Sequence, residues 1–556
     1  MRLLVLSTLA ILAIAVLGSA ATYSQSTAPV VSVLVGDGDD EWSKTAVLTY
    51  ENGKMVVYVA GNKWRQPIAA KIDLTLGKPI WAVVIGDRNK GDLGDWPEFR
   101  DLVLCGKYVA VVGYSDAKLG AKDVLIVVLD RASGKIVWMK RLGDPNAEDK
   151  GYGIACDDRY LYVTGYTKGL GADRRDIIVA KLELETGKLV KMGRIDAASS
   201  GDSEYGVDIA VAGDKIIVVG MTNAFDEKTY DVLVVVLTKD LDLEKSFVVG
   251  KKKVYEIAAY SNFKNSGGAI AVDGNRLYVL AQMKDPEAGK TSTLVFAFTL
   301  SGELLWAKRI YNATDISVEY YPDQIAIGKN YIYVAGHSWF YPGLWKEGGF
   351  LAVIDKTSGK IEEFYVIVDK KLMSGMGAHG VGAATIGDVD AVALVLDYYL
   401  TDRGRATVKD LVKEVAVEDY KARVEDVTKS MKLADITKSV TVADLKTSVS
   451  KVDLTKPTNG KSNYLLLLFF EPAIKIKISI TTITHTATHT SITTKFVPTT
   501  VVLTSTVTTT TTVFKTATTT TTATTTKVEV NWGATAGISI ALLVVGIGIG
   551  MALRRR

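Results

Sequence analysis

A run of apolar residues closing on glycine recurs along the first three quarters of the chain, and it restricts the fold more than any other feature. It reads Val56-Val57-Tyr58-Val59-Ala60-Gly61 and returns at Tyr108 to Gly113, Tyr160 to Gly165, Lys215 to Gly220 and Tyr331 to Gly336. Weaker copies stand at 277–281 and 390–397. The first four glycines are 52, 52 and 55 residues apart. Each unit contains four segments of strand character. In the third unit these are Tyr152 to Cys156, Tyr160 to Gly165, Asp176 to Leu184 and Leu189 to Ile195. A reused turn joins the last two: Ala132-Ser133-Gly134-Lys135, Glu185-Thr186-Gly187-Lys188, Leu300-Ser301-Gly302-Glu303 and Thr357-Ser358-Gly359-Lys360. Glycine there supplies the positive φ that a tight hairpin needs. Short strands of period two between such hairpins exclude a helical repeat.

A four-stranded unit of this size cannot bury its own apolar faces, whereas radial stacking makes those faces one continuous core. The expected fold is therefore all-β: a seven-bladed β-propeller over residues 29–415, or eight-bladed if the tail adds a blade. Val30 to Asp37 is similar to Ile80 to Asp87, the fourth strand of the first unit. It is expected to complete the last blade, with earlier strands near 381–386, 391–397 and 406–411.

Residues 151–167, GYGIACDDRYLYVTGYT, with Asp176-Ile-Ile-Val-Ala-Lys-Leu and Gly134-Lys-Ile-Val-Trp138, resemble the bacterial and archaeal SBBP-type β-propeller repeats. The resemblance runs over about 380 residues and fades in the sixth and seventh units. It implies a propeller fold and a prokaryotic cell-surface address, without an activity. Residues 129–138 also resemble quinoprotein repeats, but the longer period and the lack of a cofactor site count against that family.

The two ends predict a membrane-anchored protein of the cell surface. Arg2, the apolar run Leu3 to Leu17 and the small residues Gly18 to Ala21 read as a signal peptide over 1–21. Residues 533–553 carry no charge and are followed by Arg554, Arg555 and Arg556. That pattern predicts a transmembrane helix with a cytoplasmic tail at 554–556. Twenty-six of the 46 residues from 481 to 526 are Thr. The expectation is a glycosylated Thr-rich stalk over 481–530, reaching about 150 Å if extended. A stalk before a terminal helix suits an archaeal envelope. Residues 416–480 are expected to form a small β-rich neck. Within them a nine-residue repeat runs through Asp426-Val-Thr-Lys-Ser, Asp435-Ile-Thr-Lys-Ser, Asp444-Leu-Lys-Thr-Ser and Asp453-Leu-Thr-Lys-Pro. Residues 464–470 and 473–480 are expected to pair as a hairpin.

Lys plus Arg number 66 against 62 Asp plus Glu, and no long basic tract appears, so nucleic acid is excluded as a partner. Cys105 and Cys156 end the first strands of successive units, where either a bridge between blades or two buried thiols would fit. His337, His379, His485 and His489 have no neighbouring residue that implies a nucleophile–base pair or a zinc set. They read as structural or surface histidines. Acidic stretches at 37–41, 87–92, 144–149 and 196–202 offer oxygen ligands for structural calcium, but solvated turns account for them as well. No catalytic residue, resident metal or other cofactor is assigned. Trp64, Trp339, Phe340, Tyr341 and Trp345 follow second strands and are candidates for a flat contact surface. Asn312-Ala313-Thr314 is the one N-glycosylation signal considered. The functional expectation is surface recognition or adhesion, with a cell-envelope protein or glycan as partner. An extracellular hydrolase or quinoprotein-like enzyme and a structural envelope component are the alternatives.

Overall fold

The computed structural model describes residues 31–470 apart from several connections between strands, together with 484–487 and 521–524. Six sheets are each built from consecutive strands, in blades spanning 41–85, 98–143, 149–197, 204–249, 256–312 and 319–368. Blade 3 shows the pattern, with antiparallel strands Asp149–Cys156, Tyr160–Thr167, Asp176–Glu183 and Leu189–Ala197 in sequence order. In blade 5 two short segments, Glu256–Ala258 and Ile270–Asp273, share the inner position against Arg276–Lys284.

The apolar core lies in the seams between sheets. Blades 1 and 2 share one cluster around Tyr58, Phe99 and Leu125, and blades 2 and 3 another around Ile126, Val163 and Met192. Third strands such as Val124 to Leu129 are buried on both faces, because each sheet is covered by two neighbours. The turn glycines also serve these seams. Gly187 has φ +66°, and the Trp138 indole of the preceding blade lies where its Cβ would stand, 2.8 Å away. Trp138 Nε1 donates to the Leu184 carbonyl at 2.9 Å. Trp81 meets the Gly134 turn in the same way, so Gly-Lys-x-x-Trp is a blade-to-blade latch. Cys105 and Cys156 form a disulfide across the seam of blades 2 and 3.

The expected count of seven or eight like units is corrected: six blades are copies of the four-strand repeat. A further sheet of order Ala378–Ile386, Val389–Tyr399, Asn463–Phe470, Val31–Val35 packs between blades 6 and 1 and is assembled from three separate stretches. Val31–Val35 takes its outer edge. Its third strand comes from 463–470, not from the 406–411 region.

The β neck is also corrected. Six short strands between 407 and 451 take the blades in reverse order and give each repeat blade an outer strand. Thr407–Asp410 pairs with blade 6 and Val415–Asp419 with blade 5. Val424–Asp426, Met431–Asp435, Thr441–Asp444 and Val449–Lys451 then pair with blades 4, 3, 2 and 1. The nine-residue period is the step from one blade rim to the next. In three of the steps the strand ends at Asp426, Asp435 or Asp444 and the following Val427, Ile436 or Leu445 is buried, as is Leu454. Val427, Ile436 and Leu445 plug successive seams. Thr428 and Thr437 cap the step, each hydroxyl accepting from the backbone amide of Ser246 or Met192 at 2.8 Å. The proposed partner of 463–470 in a hairpin, 473–480, lies outside the described residues.

The membrane-anchored reading is corrected as well. No helix among the described residues is long and apolar enough to cross a membrane, and the helical turn there is Thr428–Ser430. The expected leader 1–21, span 533–553 and tail 554–556 lie outside the described residues. No membrane partner or single-pass topology is carried forward. In the Thr-rich tract, Thr484–Ala487 pairs antiparallel with Thr521–Thr524, which brings its two ends together instead of holding them apart as an extended stalk.

Candidate functional site

In every repeat blade but the fifth, a glycine two to four residues before the end of the second strand fixes what reaches the middle of the ring. Gly61, Gly113, Gly165, Gly220 and Gly336 each pair with the residue before a one-residue bulge in the inner strand. A Cβ on Gly165 would stand 1.8 Å from the Lys150 carbonyl oxygen, and one on Gly113 would stand 1.9 Å from that of Glu98. Only glycine leaves room for the bulged backbone. The extra residues are Lys44, Arg100, Tyr152, Val207 and Asp323. Just past the bulges, Asp101 and Asp208 lock blades together. Each carboxylate accepts its neighbour's amide and one from the next blade, Ile154 N or Ile270 N, at 3.0 Å. Burial pushes the Asp101 carboxyl up to about 6.

Lys44, Arg100 and Tyr152 come together in a cavity of about 880 Å³ over blades 1 to 4. Its lining is strongly cationic. Lys44, Arg65, Arg100 and Lys122 are joined by Lys150, Lys168 and Arg175, against the two carboxylates Glu98 and Glu148. Tyrosines interleave with the cations. Tyr152 stacks on Tyr166 at 5.9 Å, and Tyr166 meets Tyr205 edge-on at 5.1 Å. The Arg100 guanidinium lies 5.4 Å from both the Tyr114 and Tyr152 rings, and Lys150 Nζ lies 4.7 Å from Tyr114. Arg175 sits over Tyr205 at 5.4 Å. Such faces hold cations in place without neutralising them.

Both carboxylates are already engaged. Glu98 pairs with Arg100 and accepts from the Tyr114 hydroxyl. Burial would raise its carboxyl, but Arg100, Lys44 and Tyr114 hold it below its ordinary value. Glu148 accepts from the Tyr166 hydroxyl and pairs with Lys168 at 3.0 Å. Burial works against it too, yet these partners hold it down to about 2. Burial pulls the Lys150 ammonium down to about 8, with Glu148 opposing.

At the rim, Trp64 and Arg65 form the two-residue turn between Lys54–Lys63 and Gln66–Asp73, with φ +37° and +61°. Glycine or asparagine usually occupies such positions, and other residues there cost on the order of 1 kcal/mol. The turn presents Trp64, half exposed, and sets Arg65 4.3 Å from the ring of the exposed Trp96.

A second polar group is enclosed where blade 6, the closing sheet and blade 1 meet. His337 Nδ1 and His379 Nδ1 lie 2.7 and 3.2 Å from Asp323 Oδ2. His379 Nε2 lies 3.6 Å from Asp397, which accepts from the Ser43 amide and hydroxyl. Tyr321 stacks on His337 at 4.9 Å. Burial opposes the Asp323 charge, but the two histidines keep its carboxyl far below the usual range. Asp323, His337 and His379 could together hold a metal ion, as could Asp176, Asp196 and Glu204. The grouping alone does not choose the metal.

Of the residues singled out in sequence, Trp64 lines the cavity, whereas Trp339 lies apart from it, half-buried and edge-on to His337 at 6.5 Å. Phe340 pairs with Lys346 as strand backbone, and Tyr341 and Trp345 lie outside the described residues. Asn312 is buried, and its amide donates to the Tyr320 hydroxyl at 3.4 Å, a bond that an attached sugar would displace. In the acidic stretches, Asp92 and Asp149 accept from the amides of Asp87 and Asp144 and so close the connections between blades. Sequence reasoning passed over Lys44, Arg100, Lys150, Tyr166 and Tyr205. Their signal is positional: each lies in or beside a bulge, or directly after the second-strand glycine.

Among known families, the SBBP β-propeller repeat matches residues 137–171. The chain has a β-propeller fold related to that repeat. No curated protein matches it. Solved structures similar in fold include a europium-containing methanol dehydrogenase, at 11% identity and TM-score 0.34 over 64% of this chain and 84% of that one. The extracellular domains 1-2 of Drosophila Semaphorin 1a match at 10% identity and TM-score 0.38, over 69% and 88%. A Mycobacterium tuberculosis puromycin-hydrolyzing peptidase matches at 12% and 0.35, over 63% and 49%. Likenesses this distant carry no functional argument.

Proposed function

We propose that the protein is a binding module whose cavity over blades 1 to 4 takes an acidic glycan. The observation that carries this reading is the seven-to-two excess of cationic over anionic side chains in a cavity of about 880 Å³. That volume is in the range of small-molecule sites and suits a few sugar units. The cations come from blades 1, 2 and 3, which suits a ligand carrying several carboxylates or sulfates. Exposed Trp64 and Trp96 offer flat apolar faces at the entrance, against which sugar rings can lie.

Hydrolysis is less well supported. The Tyr114 hydroxyl bonded to Glu98 has the outline of a nucleophile with a base. Burial, however, pushes the Tyr114 phenol well above its ordinary value, so it stays a hydrogen-bond donor at neutral pH.

Calorimetry with an oligo-uronate and its methyl-esterified, neutral counterpart tests the reading. Binding is expected for the acid only, weakening as salt is added, and reduced in both Lys150→Met and Trp64→Ala. Equal binding of the two sugars, or none, would overturn it.

A further inference from the structure

The seam between blades 3 and 4 carries a group of carboxylates that the cavity does not use. Asp176 begins a third strand, Asp196 lies near the end of the fourth, and Glu204 opens the inner strand of the next blade. One carboxylate oxygen from each lies within 4.8 Å of the others. Asp176 and Glu204 are buried, and Asp196 is half-buried. Glu204 Oε1 accepts from the Thr222 hydroxyl at 2.8 Å, while Glu204 Oε2, fully enclosed, has no hydrogen-bond donor. Arg194 is bonded to Asp176, and Lys432 approaches Asp196 from the rim, but Asp173 and Asp202 add negative charge nearby. A buried carboxylate oxygen without a donor beside further carboxylates is costly unless the group takes up a proton or a cation is present.

The neighbouring seams provide an internal comparison. Leu142, Ile195 and Val249 hold equivalent places against Val124, Ile177 and Val232. The residues that follow them are Gly143, Asp196 and Gly250. Asp123 with Asp149 in the seam of blades 2 and 3 matches Asp176 with Glu204, and Asp144 adds charge there. Among the described residues, a third carboxylate oxygen comes within 4.8 Å of such a pair only beside blade 3. In the seam of blades 2 and 3 the Asp144 amide closes on Asp149 at 2.6 Å instead.

We propose that Asp176, Asp196 and Glu204 bind one calcium ion in the seam between blades 3 and 4. The donors are all hard oxygens, which suit calcium or magnesium over softer metals. Calcium accepts an irregular shell of six to eight oxygens at about 2.3–2.6 Å, whereas magnesium demands a near-ideal octahedron at about 2.0–2.1 Å, which three side chains from three separate strands are not built to give. The set supplies three of the six to eight oxygens calcium takes, and water would complete the shell. The ion would lie directly behind the cavity wall. Arg175 and Tyr205 line the cavity, and they are chain neighbours of Asp176 and Glu204. The Glu204 amide donates to the Arg175 carbonyl at 2.7 Å, which ties the two halves of the wall together.

The full-length chain, stripped with chelator and dialysed, would be titrated with calcium chloride by calorimetry in the absence of any glycan. One saturable site is expected, lost in Glu204→Gln and weakened at least about tenfold in Asp196→Gly. Tenfold excess magnesium should not displace the ion. Should Glu204→Gln fail to fold, Asp196→Gly decides alone, since it installs the residue found in both neighbouring seams. Absence of saturable binding, undiminished binding in Asp196→Gly, or a preference for magnesium would overturn the proposal. Because no sugar is present, failure here is independent of the acidic-glycan reading.

Discussion

Lys150 lines the cavity near the Tyr114 and Tyr166 rings, with its ammonium pulled down to about 8 by burial. A lysine is charged below its pKa and neutral above it. An acidic ligand should therefore bind with constant strength up to about pH 7 and several-fold more weakly by pH 9. Calorimetry at the two pH values checks this, and Lys150→Met should remove the step. The residue scale is also where the sequence was least legible. Trp64 was visible because a lone tryptophan after a strand has an obvious meaning. Arg100 and Lys150 were not, because a charged residue in an alternating strand looks solvent-facing until the bulge turns it toward the axis. The second-strand glycine was read as punctuation, although its missing Cβ makes room for that bulge.

At the scale of elements, the Asp-apolar-Thr-Lys repeat is a set of rim strands whose apolar residues plug the seams. Ile436 is buried in the seam of blades 2 and 3 while its neighbour Lys438 is exposed. Ile436→Ala should cost about 2–4 kcal/mol, as large-to-small changes in a packed core do. Lys438→Ala should stay within about 0.5 kcal/mol. Urea midpoints of the two variants would show the contrast, and equal midpoints would mean that the rim strands add nothing to stability. The period of nine was plain in the sequence, but its purpose was not. A segment of three to five residues cannot declare which distant edge it will join, and the blade spacing that sets the period exists only after the ring forms. The local turns were easier to read, because a Gly-Lys hairpin depends on its own few residues.

For the whole molecule, the radial stacking of sheets was legible because no four-stranded unit could hide both faces. How the ring closes was half legible. The likeness of Val30–Asp37 to an outer strand pointed to the last sheet, but nothing local marked Asn463–Phe470 as its inserted third strand. The disulfide was one of two open readings, since only the ring brings two strand ends 51 residues apart in sequence to a Cα separation of 6.1 Å. A bridge closing such a loop contributes about 2–4 kcal/mol. Reduction should lower the thermal midpoint by a few degrees, measured by calorimetry with and without dithiothreitol. An unchanged midpoint would assign that seam entirely to packing and to the Asp101 clamp.

Asn463–Phe470 is gripped on one side by Val389–Tyr399 and on the other by Val31–Val35, so an early and a late stretch of the chain share one sheet. During synthesis the six repeats can stack as they leave the ribosome, yet the first strand must wait, one edge open, until residue 470 arrives. Closure of that sheet thus waits on translation of Asn463–Phe470, and a polypeptide cut short before it would remain an unclasped bracelet.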